Sequence, residues 1–450
     1  MNRRHLLRSL AVASGGTVYG LVDTSLPRHT VTVPSRVTSQ TVSSRTEPVT
    51  RRWREQRWLL DSIIEANGID WDQPRSFYWN APCGPGASPD FAIIRERVKK
   101  YADFSPAFVA AAHRREAMAR AAEEAEELVT ARENYFIAAI HWGAAQWPIH
   151  ANTDENIYFH NKKLECYEKY AKLADHHIER VSIPFQDTAL PAWFHLPPGY
   201  RDGRIPAVVS VPGMDNFKEA SVSLYGDRFL ARGFAVLAIE GPGQYECPML
   251  GIPMTVPGWE ATGTACVDWL INRPEIDPEQ IAITGTSFGS FAATIAAAHE
   301  PRLRACAVMN VCHEPRWTTA FEQASPTFKM RFMYMANYTN EEEFDRFAKT
   351  LTWEGHAEHI QMPYLAVAGE KDELSPLEHT ERLFSVLSGP KRLVVYQGAR
   401  HSIGGVPSAS MGPAVPGLIA DFIAARFAGR DFPNERWFVD ATGAISKTAL

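Results

Sequence analysis

A chain of 450 residues, 45% apolar and 22% charged, has an ordinary globular composition and length enough for two domains. Its formal net charge of −6, with no run of aromatics interleaved with Lys/Arg, excludes an electrostatic basis for a nucleic-acid partner. No stretch approaches the roughly 18 to 20 uninterrupted apolar residues of a membrane-spanning helix, so no stable membrane insertion is expected.

The six cysteines (Cys83, Cys166, Cys247, Cys266, Cys306 and Cys312) form no C-x-x-C pair. This spacing argues against a zinc ribbon, a redox motif or a disulfide framework, and it reads as buried small hydrophobes. His176-His177 and the pair His356 and His359 belong to no H-E-x-x-H pattern, so no metal site is expected.

In chain order, Arg3-Arg4-His5-Leu6-Leu7-Arg8 resembles a twin-arginine signal, followed by the mildly apolar Leu10 to Val22. Ser14, Gly15, Gly16 and Thr17 interrupt that apolar region and no A-x-A site follows it. Residues 1–50 therefore read as a basic flexible arm, which implies a cytoplasmic protein, with export as the alternative. Residues 51–177 read as a helical domain, with helical patterns over Trp53 to Asn67, Phe91 to Tyr101, Pro106 to Trp147 and Asn156 to Ala174. Arg114-Arg115-Glu116 and Glu123 to Glu127 are expected to form solvated faces of those helices.

Residues 178–450 change character. Val181 to Phe185 and Ala192 to Leu196 flank a turn at Asp187-Thr188 and predict a hairpin. Short β-rich runs follow at Ala207 to Val211, Phe234 to Ile239, Ile281 to Thr284, Cys306 to Asn310, Tyr364 to Ala368 and Leu393 to Tyr396, with helical stretches between them. This alternation predicts an α/β fold, a mostly parallel, doubly wound sheet covered on both faces. Residues about 314–352, rich in Phe, Met and Tyr, interrupt it with a helical insertion expected to overhang the sheet as a lid.

Gly285-Thr286-Ser287-Phe288-Gly289 stands between the run Ile281 to Thr284 and the small-residue stretch Ser290 to Ala298. A G-x-S-x-G pattern in strand, turn, helix context is a nucleophile elbow, with glycines where neighbouring side chains would collide. A serine hydroxyl needs a general base and an acid to orient that base. In the chain order Ser, acid, His, the elbow is followed by Asp372, after the run Tyr364 to Ala368, and His401, after Leu393 to Tyr396. Glu370 and Glu373 are the nearest rivals to Asp372, and His313 precedes the acid in chain order. The oxyanion donors are expected to be the backbone amides of Phe288, after the nucleophile, and Met214, in Val211-Pro212-Gly213-Met214-Asp215.

These segments, together with Glu179-Arg180-Val181-Ser182-Ile183-Pro184-Phe185, Pro212 to Glu219 and Glu240-Gly241-Pro242-Gly243-Gln244-Tyr245-Glu246, resemble one branch of the α/β-hydrolases. That branch holds 2,6-dihydroxypseudooxynicotine hydrolase, the fungal heptaketide-shortening pigment hydrolases and the FrsA-type esterases. The resemblance runs from about Tyr135 to the C-terminus, with departures at Pro212, Glu240 and Tyr245. It implies an α/β-hydrolase fold with an N-terminal helical domain, a cofactor-free serine hydrolase and a small-molecule, aromatic substrate enclosed between the two. It further implies cleavage of a C–C bond beside a ketone or of an ester, and a possible homodimer through the helical domain. An extra acid near the substrate is implied too, with Glu314, Asp215 and Glu219 as candidates; each also fits a helix cap or first-turn acid. Trp142, Trp147 and Trp317 are expected in the core rather than in a pocket. Gly241-Pro242-Gly243-Gln244 reads as a tight turn, lacking the spacing of a phosphate loop. An acyltransferase on the same triad and a noncatalytic binding protein with this fold are the rival functions.

Overall fold

The computed structural model describes residues 32–38, 46–224 and 227–450. The twin-arginine-like segment lies outside the described residues. Within the expected arm, however, residues 32–38 are packed: Arg36 pairs with Glu168 at 2.9 Å, and the Val37 amide donates to Asn161 Oδ1 at 3.1 Å.

The first helices are α1 (Arg51–Asn67), α2 (Arg75–Asn80), α3 (Ser88–Arg97), α4 (Phe104–Glu124), α5 (Leu128–Ala145) and α6 (Asp154–Leu173). Thr50 and Thr153 cap α1 and α6 by accepting from the third following amide. The single helix expected over Pro106 to Trp147 is two antiparallel ones. Glu126 takes a left-handed φ of 60° and reverses the chain between α4 and α5, without the glycine that usually marks such a turn. The helix expected from Phe91 ends earlier, at Arg97, because Val98 turns extended.

The strands and helices that follow are β1 (Ile178–Phe185), β2 (Thr188–His195), β3 (Ile205–Val211), α7 (Lys218–Leu224), β4 (Ala235–Ile239), α8 (Glu246–Met249), α9 (Val256–Ile271), β5 (Ile276–Ser287) and α10 (Phe288–His299). Then come β6 (Ala305–Val311), α11 (Pro326–Met335), α12 (Glu341–Ala348), β7 (Tyr364–Gly369), α13 (Leu377–Val386), β8 (Lys391–Tyr396), α14 (Pro407–Met411), α15 (Val415–Phe427), β9 (Glu435–Val439) and β10 (Ile445–Ala449). All ten strands form one sheet in the order β1-β2-β4-β3-β5-β6-β7-β8-β9-β10. Pairing is parallel from β4 through β9 and antiparallel at both margins. The C-terminal hairpin β9–β10 extends the sheet beyond the last strand expected from the sequence.

Central strands are buried on both faces, which is why they read as unbroken apolar runs. Val209 and Leu237 pack in one core layer, whereas Val208 and Val236 point into the other, as the two-residue pleat requires. That second layer also contains Trp79, Phe104, Phe108 and Trp142, so the helical region packs onto the sheet through a shared core. No helix among the described residues is long and apolar enough to cross a membrane.

Candidate active site

Ser287 ends β5 and immediately precedes α10, with φ 54° and ψ −125°. Such a conformation is strained for a residue with a Cβ and holds the side chain up at the end of the strand. Close backbone approach explains the flanking glycines. A Cβ on Gly285 would stand 2.0 Å from the Gly289 carbonyl oxygen, and one on Gly289 would stand 2.3 Å from that of Val211.

The loop after β8 delivers His401, whose Nε2 lies 2.9 Å from Ser287 Oγ. Its Nδ1 lies 2.9 Å from Oδ2 of Asp372, in the loop after β7. The Leu374 and Ser375 amides each donate to Asp372 Oδ1 at 2.9 Å and lock the carboxylate in place. Burial pulls the His401 imidazole down, but the Asp372 charge and hydrogen bond outweigh it, and its pKa stands well above the usual histidine value. The rival acids hold the same loop from outside. Glu373 accepts from the His401 amide at 2.8 Å and Glu370 from the Gly398 amide at 2.7 Å. His313 is buried among Thr380 and Tyr364, and burial pushes its pKa down to about 3.

Met214 lies beside Ser287 in a small pocket, and Phe288 is the first residue of α10. Among the described residues, neither backbone amide has an internal acceptor. The two amides are the candidate oxyanion donors, and the α10 dipole would add to that of Phe288. A Cβ on Gly213 would stand 3.1 Å from Ser287 Cβ, so the glycine lets the loop close onto the elbow. Sequence reasoning missed what holds this loop. Gln244 Nε2 donates to the Pro212 carbonyl at 2.5 Å while its Oε1 accepts from the Gly241 amide at 2.8 Å. The Gly241-Pro242-Gly243-Gln244 turn thus braces the candidate oxyanion loop, a role legible only from a contact across 32 residues.

The three candidate assisting acids separate. Glu314 lines the small pocket beside Ser287, yet both its oxygens are taken by Thr319, at 2.9 Å from the amide and 3.0 Å from the hydroxyl. Burial raises its pKa. Asp215 lines the main chamber, and its carboxylate accepts from Trp147 Nε1 and pairs with Arg75 at 3.4 Å. Glu219 stands apart from both pockets. It is fully buried in an ion cluster, 3.2 Å from Lys163 and 3.0 Å from Lys218, and accepts from Trp193 Nε1 at 3.0 Å. Two ion pairs, one hydrogen bond and no exposed surface correct the expectation that Glu219 stands near a substrate.

The main chamber has a volume of about 510 Å³, and its lining includes Ser287 and His401 together with Pro74, Phe77 and Tyr78 from the helical region. Met309, Ile403 and Val415 make it largely apolar. On the other side of Ser287, the insertion between β6 and β7 supplies Trp317, Phe328 and Phe332 to the small pocket. Trp317 is a buried core residue, as expected, and also lines this pocket. Trp142 is core, packed on His113, Tyr158 and Phe159.

Models of two families match the chain: the prolyl oligopeptidase family over residues 263–427, and the X-Pro dipeptidyl-peptidase (S15) family over residues 144–316. The chain is 31% identical over 240 residues to alpha/beta hydrolase ucsC of Acremonium sp, covering 47% of this chain and 48% of that one. It is 31% identical over 187 residues to 20-hydroxy-prefusarin hydrolase FUS2 of Gibberella moniliformis, covering 38% and 43%. The chain spans about half the length of the curated relatives it matches. Among solved structures, 2,6-dihydroxy-pseudo-oxynicotine hydrolase superposes with a TM-score of 0.67 at 24% identity, over 79% of this chain and 97% of that one. AbyA5 superposes with a TM-score of 0.60 at 16% identity, over 83% and 95%. With a mostly parallel sheet, a serine elbow and an N-terminal helical region, the chain has the α/β-hydrolase fold and is similar to the branch that holds 2,6-dihydroxy-pseudo-oxynicotine hydrolase and the fungal hydrolases.

Proposed function

We propose that this chain is a serine hydrolase that attacks the carbonyl carbon of a bulky, apolar, aromatic small molecule and proceeds through an acyl-enzyme. The observation that carries this reading is the continuous hydrogen-bonded line from Asp372 through His401 to Ser287, with steps of 2.9 Å and 2.9 Å. In the reaction, His401 Nε2 takes the Ser287 proton as Oγ bonds to the carbonyl carbon. The Met214 and Phe288 amides hold the resulting oxyanion, a contribution of about 3 kcal/mol per donor. As the tetrahedral centre collapses, the imidazolium returns its proton to the leaving group. Water, deprotonated by His401, then releases the acid and restores Ser287.

Two leaving groups fit this cycle. A β-diketone or aryl ketone loses a carbanion that must take the His401 proton as it departs, whereas an ester loses an alkoxide. The apolar chamber of about 510 Å³ supports a substrate of several rings.

The test is a screen of aryl esters and aromatic β-diketones with mass-spectrometric identification of products and of the trapped acyl-enzyme. Turnover with the acyl group on Ser287 supports the reading. Transfer of that group to an added alcohol in preference to water identifies an acyltransferase instead, and no acylation in folded protein contradicts both.

A further inference from the structure

On the surface, outside the site above, Glu260 of α9, His299 at the end of α10 and His356 of the segment after α12 converge. His299 Nε2 lies 2.9 Å from His356 Nδ1, and Glu260 Oε1 lies 4.0 Å from the first and 3.7 Å from the second. Tetrahedral zinc, with bonds of about 2.0 to 2.1 Å, sets its ligand atoms about 3.3 Å apart. The three separations fall on both sides of that value, so shifts of about half an ångström bring all three onto one ion. The side chains are 33%, 19% and 31% exposed for His299, His356 and Glu260, enough for an ion to enter from solvent.

We infer that Glu260, His299 and His356 form a zinc-binding site. Two imidazoles and one carboxylate suit zinc rather than calcium or magnesium, which take oxygen ligands. With three protein ligands the fourth position goes to water; the His359 ring lies edge-on at 6.3 Å from that of His299. His299 stands about 18 Å along α10 from the elbow, at 1.5 Å per residue, so the ion takes no part in carbonyl chemistry. It fastens α9, α10 and the 356–359 segment, three pieces distant in sequence. No short-range spacing announces such a site, which explains the contrary expectation from the sequence.

The experiment titrates chelator-treated full-length protein with Zn2+ by calorimetry, follows Tm, and records the visible spectrum with Co2+ in place of zinc. One ion per chain is expected, with a rise of about 2–4 °C in Tm at saturation and a tetrahedral cobalt band free of thiolate charge transfer. The variant H299A/H356A should keep the metal-free Tm and lose the ion, its Tm rise and the cobalt band. Glu260→Gln, which keeps the side chain's size, should weaken binding about tenfold. The absence of zinc binding by the wild type, or equal binding by H299A/H356A, would overturn the proposal. Should the double variant not fold, unchanged affinity in Glu260→Gln together with a thiolate-type cobalt band would overturn it equally.

Discussion

Arg75 of the helical region and Asp215 of the candidate oxyanion loop lie 3.4 Å apart, with the guanidinium fully buried. The guanidinium stacks between the Trp71 and Trp147 rings, at 4.5 and 3.9 Å from their centroids, and also pairs with Asp72. Trp79 Nε1 donates to the Asp215 carbonyl at 3.0 Å. The helical region thus does more than roof the chamber: it fixes the residue next to the Met214 amide. Arg75→Met leaves the partly buried carboxylates of Asp72 and Asp215 without their cation, and a loss of about 3 kcal/mol is expected in chemical denaturation. A fall in kcat should accompany it, measured at a temperature where the variant is folded.

In the proposed reaction, protonation of His401 sets the acid limb of activity. The neutral imidazole would be the general base, and its pKa is held well above the usual histidine value against the opposing effect of burial. Turnover should therefore rise with pH to a midpoint above about 6.5, the unperturbed value. For stability the sign is opposite. The fold favours the imidazolium, so this contribution is full below about 6.5 and disappears as pH rises through the folded-state value. Asp372→Asn should lower the kinetic midpoint and reduce kcat about 10⁴-fold.

Gly213→Ala separates geometry from stability. The added methyl would stand 3.1 Å from Ser287 Cβ and 3.1 Å from the Thr286 carbonyl, displacing the Met214 amide by tenths of an ångström. Loss of about 10²- to 10³-fold in kcat is expected with little change in Tm. Gly289→Ala, whose methyl meets the Val211 carbonyl at 2.3 Å, should instead destabilise the whole fold.

Ala409, on α14, lines the main chamber. Ala409→Phe fills part of that space. KM for bulky aryl substrates should rise at least about tenfold, with an aryl acetate barely affected, since one lost apolar group is worth about 1–3 kcal/mol. Equal effects on both substrates would place the bulky group elsewhere.

Glu314 tests the extra-acid proposal. Its carboxylate is committed to Thr319 at the start of the insertion between β6 and β7. Glu314→Gln should keep one of those bonds and change KM more than kcat if the acid positions the insertion. A fall in kcat alone, with a lost pH-dependent limb, would identify a proton-transfer role.

The candidate triad was legible because each member follows a strand with a strong apolar signal, and because Gly285 and Gly289 announce the elbow. Chain order does not separate Asp372 from Glu370 and Glu373, which also stand between Ser287 and His401; the 2.9 Å contact from Asp372 to His401 does. The reversal at Glu126 was illegible because a left-handed glutamate leaves no mark in composition. Strands β9 and β10 were missed because they are marginal, with β10 exposed throughout and little apolar periodicity. Gln244, Arg75 and Trp317 owe their roles to contacts between distant segments, which no local pattern encodes.

Labelling of the purified protein with a fluorophosphonate, followed by peptide mass spectrometry, tests Ser287 most directly. One adduct is expected, on Ser287, absent from Ser287→Ala and strongly reduced in His401→Ala. Folded wild-type protein that forms no adduct, or forms one on another residue, would contradict a Ser287 nucleophile.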